Sequence, residues 1–512
     1  MSGRDSGILD IPPGIVKDNT KFALGKRWVD GNLVRWVDGI LTPVGGWITY
    51  QNFGAMTQPI RTMFSWTDNS VQAWLAAASS DKCILVKAGA SPTQQDITPS
   101  TLAWSPGYQV GYGGGPYGKK AYGKDSPTGG ATPDPDALWS FDNFGQDLYA
   151  VHSQDGRLFS WSPSTPGTPL TQVSGAPTDN RLVAVTDERF IMTFGGLNHP
   201  RRVKWCSREN PNDWTAVETN SAGGFELDSA GTIIAVAKVT GGIVVLTDVD
   251  VHIIEYVGAP YWYSHRILTS DTGILSQYGF AVTPNGLIWI GPAGFWRYDG
   301  AVTPLPCTVQ NEVFKNSYLQ KKVSVFMGTN RHMQEVWCFY PDAQSTEATR
   351  YALFSYRSTP YWSRGVLSRS AMVAPVYQSR PYMAASNVVY EHERNWTADG
   401  AARSVYATTG LISYSDLDSN MKADRLFADA LVGDTLTEWT YPTTFPFTIT
   451  MELRQAPKAA GRTYGPVTFN TAKGYTTIRA RAKLISLTVT ETVQQSWGMG
   501  RIMLRTKPLG RR

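Results

Sequence analysis

Short strand candidates set off by polar turns recur along most of this chain, and none is large enough to bury both faces alone. The pattern appears as SSDKCILV (79–86), SQDGRLFSW (153–161), TDERFIMTF (186–194), TDVDVHIIEY (247–256), TPNGLIWI (283–290), NRHMQEVWCFY (330–340) and AASNVVYEHE (384–393). Turn centres near 81, 156, 188, 249, 286, 333 and 386 give a mean step of roughly 51 residues, close to the ~40–50 of one propeller blade. The steps are uneven. Closing a ring of small sheets buries each face against a neighbour and leaves only short edges, so the pattern predicts an all-β chain built on a β-propeller. An array of sandwiches or barrels is the alternative.

The rest of the composition agrees with many short strands. Glycine (48) and proline (31) punctuate the 512 residues almost everywhere, and long helical runs of Ala, Leu, Glu and Lys are hard to find. The aromatic fraction of 12% supplies ample apolar surface. Cys83, Cys206, Cys307 and Cys338 lie far apart in or beside apolar runs, with no CxxC, which predicts reduced core thiols. No basic-then-apolar leader and no 18-residue apolar run occurs, so the chain reads as made in a cytosol and not membrane-spanning.

Three regions are expected. Residues 1–59 hold an extended arm through Pro12 and Pro13 and then a β meander, where Asp30-Gly31 and Asp38-Gly39 are read as turns bracketing NLVRWV. Residues 60–395 are read as the propeller, with a Gly/Tyr-rich insertion at about 104–136, and residues 396–512 as an additional C-terminal β region. That last region is electrostatically distinct. From Leu453 to Arg512 there are twelve Lys and Arg against one acid, Glu491, a local +11 that leaves −6 on residues 1–452 within a total of +5. In TTIRARAKLISLTV (476–489), Arg479, Arg481 and Lys483 alternate with Ile478, Ala480 and Ala482.

Motifs for chemistry are few. GYGGGPYGKKAYG (111–123) spells part of a phosphate loop, but such a loop needs a strand before it and a helix after it. Pro106 and Gly107 break the first, AYGKDSPTGGATPDP cannot form the second, and Lys120 stands where a magnesium-binding Ser or Thr belongs. An exposed excursion whose tyrosines order against a partner, or a merely flexible loop, fits better. Six histidines show no zinc pattern, no G-x-S-x-G elbow occurs, and the acids fall mostly in turns. No catalytic residue, cofactor or metal is therefore expected. The candidate interaction residues are Tyr112, Tyr117, Lys119, Lys120 and Tyr122 in the loop and Arg479, Arg481, Lys483, Arg501, Arg505, Arg511 and Arg512 in the basic end. The basic end suits nucleic acid or, with few interleaved aromatics, an acidic partner or neighbouring copy.

Three passages resemble a known family: KRWVDGNLVRWVDGILTPVGGW near the start, SDTGILSQYGFAVTPNGLIWIGPAGFWRYDG (270–300), and SWGMGRIMLRTKPLGRR (496–512). They look like the tail nozzle or hub proteins of short-tailed bacteriophages, also described as tail tubular protein B or packaged-DNA stabilisation proteins. The resemblance implies a propeller-based virion protein, made in the bacterial host's cytoplasm. A homohexamer would form a ring below the portal and adaptor, extending the channel for double-stranded DNA, retaining the genome and carrying fibres or spikes. On that reading residues 454–512, or part of them, lie at an intersubunit or adaptor contact, and the loop from 104 to 136 projects at the ring's mouth or against a neighbour and helps close the channel. A propeller enzyme or lectin acting on host polysaccharide is the alternative.

Overall fold

Side-chain alternation explains how the strands stack. In Ala73–Ala78 and Cys83–Lys87, Trp74, Ala76, Cys83 and Leu85 enter one buried cluster with Trp139, Ala150 and Phe159, while Leu75, Ala77, Ile84 and Val86 enter another with Tyr382 and Val389. Successive residues of a strand point to opposite faces, so an almost wholly apolar strand must be sandwiched between two other sheets. The same division recurs where Leu148 and Ala150 face one cluster and Tyr149 and Val151 the next.

We describe these relations in a computed structural model that covers residues 5–89, 92–102, 134–315, 317–413, 420–433, 440–471 and 473–508. Seven four-stranded antiparallel sheets form a propeller. Blades 1 to 6 span 62–96, 139–172, 182–226, 233–269, 280–305 and 326–366, each a simple meander. Blade 7 takes Ala371–Val373, Tyr382–Ala385 and Val388–His392 from late in the chain and its outermost strand, Trp47–Asn52, from near the start. The innermost strands touch in sequence around the full circle, the seventh meeting the first. The closing strand is fastened by rings: Trp47 stacks on His392 at 5.1 Å, Tyr50 on Tyr382 at 4.4 Å, and Arg369 lies 4.7 Å over Trp47.

Each turn that signalled a repeat falls in a different blade. Those near 81, 156, 249 and 386 join a blade's second and third strands, whereas those near 188, 286 and 333 join its first and second. That shift accounts for much of the uneven spacing.

The two ends of the chain interleave into a sandwich. Sheet I contains Val34–Val37, Ile40–Pro43, Trp497–Pro508, Met421–Val432 and Tyr475–Ala482 in that order, with Asp5–Leu9 alongside Trp497–Pro508. Sheet II contains Trp28–Asn32, Tyr406–Thr409, Leu484–Glu491, Phe447–Arg454 and Arg462–Val467, with Ile412–Ser413 also against Leu484–Glu491. The segments read from the sequence as separate terminal regions thus supply strands to both sheets. Asp38-Gly39 makes the expected hairpin, with φ of 52° and 84°. Asp30-Gly31 does not; it lies within Trp28–Asn32, and the chain changes sheet at Leu33, whose φ is 51°. Glycine eases the packing there, since a Cβ at Gly31 would sit 3.0 Å from both Ile15 Cδ1 and Val34 Cγ2 and force them to give way. A second change of sheet falls at Lys483, which divides the alternating TTIRARAKLISLTV into an outer and an inner strand.

The sandwich shares one core with blades 5 to 7, including Trp36, Leu426, Trp497, Ile288, Trp337 and Met383. Buried charge fixes the junction. Arg35, 2% exposed, meets Glu335 of blade 6 through Nε (2.9 Å) and Nη2 (2.9 Å), and Glu393 just beyond blade 7 through Nη1 (3.0 Å) and Nη2 (2.5 Å). Glu393 also accepts from Gly45 N (3.0 Å) and Asn330 Nδ2 (3.1 Å). Arg364 bridges Glu312 and Asp30, and Arg403 pairs with Glu491 at 3.2 Å. All four cysteines are buried and unbridged, and no helix among the described residues is long and apolar enough to cross a membrane.

Breaking a buried pair strands its partner in low dielectric, so Arg35→Met is expected to cost about 3–5 kcal/mol, read as a lower urea midpoint. A second expectation concerns pH. Burial pushes the Glu335 carboxyl up to about 7 despite Arg35, whereas Arg35 and the Gly45 N–H hold Glu393 below the usual carboxylate range against the effect of burial. A folded-state pKa above the unfolded value of 4.5 means that stability from Glu335 falls as pH rises from about 4.5 to 7. Glu335→Gln should remove that fall, gaining on the native protein between pH 5 and pH 8. An equal stability difference at both pH values would refute a carboxyl that titrates near 7.

Candidate docking face

Sheet I has one face in the shared core and one face outward. On Tyr475–Ala482, Ile478, Ala480 and Ala482 are buried while Arg479 and Arg481 are exposed. On Trp497–Pro508, Ile502, Leu504 and Thr506 point inward and Arg501, Arg505 and Lys507 outward. Met421–Val432 runs between them and adds Lys422 and Arg425.

Strand register brings these cations together. Lys422 lies directly opposite Arg481 on one side and Lys507 on the other, and Arg425 opposite Arg505. Like charges in register are destabilising, and Asp424 offsets them in part, 3.1 Å from Arg505 and 3.9 Å from Lys507. Next to the charges runs an apolar row in which Phe427 faces Tyr475 and Met503 across the strands, with Arg425 4.7 Å over the Tyr475 ring. Arginine, aromatic and methionine side chains on one flat face are the composition favoured at protein interfaces. Of the residues singled out from sequence, Arg479, Arg481, Arg501 and Arg505 meet on this face, and Lys483 stands at the change of sheet. Tyr112, Tyr117, Lys119, Lys120, Tyr122, Arg511 and Arg512 lie outside the described residues. Lys422, Arg425 and Lys507 escaped the sequence reading of site residues. The alternation at the start of MKADRLFADALV was the available signal for Lys422, whereas Arg425 comes to this face through a bulge between Ala423 and Arg425 that the period hides.

Blade 4 offers a second outward feature. Its outermost strand, Trp262–Thr269, runs eight residues with no strand on its outer edge among those described, against four, two, four and four in blades 1, 2, 3 and 5. Tyr261 at its start is 78% exposed. Long open edges invite pairing with another chain.

Arrangements that could mimic a catalytic centre are structural in form. Asp250 accepts from Ser229 Oγ at 2.7 Å and Thr247 Oγ1 at 2.5 Å and contacts His252 Nε2 at 3.1 Å. Serine and histidine thus both address the carboxylate and not each other, so no proton relay to a nucleophile is set up. His152 contacts Ser80 O at 3.0 Å, and His392 faces Arg369, which with burial keeps its proton affinity low. Among the described residues no group of three or more His, Cys, Asp or Glu is placed to hold a metal.

No family model matches the chain, and no curated protein matches it. Solved structures similar to it are β-propellers. The WD40 β-propeller domain of Doa1 is 8% identical over 68% of this chain and 97% of its own, with a TM-score of 0.41. A virginiamycin B lyase from Staphylococcus aureus is 8% identical over 67% and 97%, with a TM-score of 0.40. YCF48 bound to a D1 peptide is 10% identical over 68% and 96%, with a TM-score of 0.39.

The crowded cations yield a stability prediction. Lys422→Glu places an acid between Arg481 and Lys507 and should stabilise the fold by about 0.5–1 kcal/mol at low salt, with the gain shrinking as salt is added. A lower thermal midpoint than that of the native protein would contradict the charge crowding.

Proposed function

We propose that this chain is a structural, non-enzymatic subunit of the tail nozzle or hub of a short-tailed bacteriophage. Six copies would form a ring below the portal and adaptor, extend the DNA channel, retain the packaged genome and carry fibres or spikes. The observation that carries this reading is where the three family-like passages lie. KRWVDGNLVRWVDGILTPVGGW contributes to both sandwich sheets and begins the closing strand of blade 7. SWGMGRIMLRTKPLGRR contributes Trp497–Pro508 at the centre of sheet I. The passage at 270–300 supplies most of blade 5, whose Ile288, Ile290 and Phe295 share the sandwich core. Segments separated by 196 residues or more thus meet in one unit.

Charge placement supports the same role. A channel for DNA must not grip the duplex, because each Lys or Arg contact with a phosphate adds affinity that resists passage. Cations gathered on the outer face of one sheet suit docking to an acidic neighbour or adaptor, and the net −6 of residues 1–452 gives that part of the chain no overall attraction for DNA.

Imaging the purified protein alone and with its portal complex is the test. Six-fold rings, or six copies on the connector, are expected. A protein that stays monomeric and does not join the connector, or that depolymerises host polysaccharide, would overturn the assignment. Within it, Arg479→Glu with Arg481→Glu should weaken assembly at least tenfold while leaving the thermal unfolding curve within a few degrees of the native one. Undiminished assembly by this double variant would remove the basic face from the contact.

A further inference from the structure

Residues at or near the start of the innermost strands of blades 1 to 6 converge on a cavity of about 250 Å³ at one end of the ring. Arg61, Leu138, Arg181, Ile234, Tyr278 and Val325, each at or near the start of a different blade, line it. At this volume it suits a small group better than a drug-sized ligand.

The cations at this mouth are not equally occupied. Arg61 is clamped by Glu347 through two hydrogen bonds of 2.7 and 2.8 Å. Lys321 lies 3.8 Å from Asp136 and 3.7 Å from Glu347. Among the described residues Arg181 has no carboxylate within ion-pair reach, and its Nε, like that of Arg61, is enclosed without a hydrogen-bond partner. Burial lowers its hold on its own proton, and only Asp248 works against that; this carboxylate already accepts Thr232 N at 2.7 Å. Gln277, which lines the same cavity and is 4% exposed, gives its amide N–H to Trp139 O at 3.2 Å and leaves Oε1 without a partner among the described residues. Lys322 stands exposed on the cavity's rim.

A largely buried guanidinium without a counterion is costly, and a fold that only needed packing would place an apolar side chain there. The planar fork of arginine matches the paired oxygens of a carboxylate or phosphate, and an O–H on the same ligand would satisfy Gln277 Oε1. We propose that the axial mouth of the propeller is a binding site for a small oxyanion, held by Arg181 with Gln277 and Lys322 alongside. A free phosphate or dicarboxylate, or the carboxylate side chain of an acidic peptide, presents the same group. The site belongs to one subunit, so it does not depend on the nozzle assignment and survives if that assignment fails.

The test uses the full chain and follows its unfolding temperature in sodium phosphate, sodium succinate and an aspartate-rich tetrapeptide, each against sodium chloride at matched ionic strength. At least one of the three should raise the midpoint by several degrees in a saturable way. Arg181→Met should abolish that rise and, without anion, melt at or above the native protein because the uncompensated charge is gone. Response to the tetrapeptide alone would identify a protein carboxylate as the source, and response to phosphate or succinate a free anion. No saturable response from the native protein, an equal response from Arg181→Met, or a variant that melts well below the native protein without anion would each overturn the proposal.

Discussion

A single guanidinium holds the architecture in register. Arg35 reaches from sheet I to Glu335 on blade 6 and Glu393 beyond blade 7, and all three groups are almost wholly removed from solvent. An apolar contact between sandwich and ring would tolerate sliding, because burial has no preferred direction. A two-pronged ionic contact prescribes one relative placement of its donors and acceptors. Tyr351 and Tyr361 add to the constraint, their hydroxyls meeting the backbone at Leu33 and Trp36 at 2.9 Å. Two carboxylates share one cation, and Glu335 carries the unfavourable side of that ratio.

The molecule separates its electrostatic work by location. Charge at the junction is buried, paired and directional, whereas charge on the outer face of sheet I is more solvated, crowded and predominantly positive, with Asp424 beside Arg505 and Lys507. The first arrangement positions domains, and the second stores a repulsion that an anionic surface can relieve. That contrast is why the outer face, and not the ionic clusters, is the surface to which we assign partner contact.

Much of the fold was legible because local chemistry and global packing agree. Asn285-Gly286 and Asp155-Gly156, like the other turn signals, fall between adjacent strands of one blade, so each strand cluster announced itself within a few residues. The basic alternation around Arg479 and Arg481 was equally visible, since one exposed and one buried face make a period of two. The long-range pairings were hidden. Nothing near Trp47 says that it will close a blade begun at Ala371, and Arg35 reads as an outward residue on a two-faced strand. Its acids stand 300 and 358 positions away, beyond the reach of any periodicity. The axial mouth was invisible for the same reason, being assembled from the first residues of different blades.

The closing strand of blade 7 also orders events in time. Trp47–Asn52 is made early yet has no partner until Val388–His392 has left the ribosome, and sheet I lacks its central strand until Trp497–Pro508 follows. Complete blades such as the second can form during synthesis, but the circle stays open as a curved stack with two raw ends. Contacts this distant in sequence are slow to find. Biogenesis therefore includes an interval in which an aromatic strand edge waits unshielded, and a chaperone or rapid completion of translation has most to protect there.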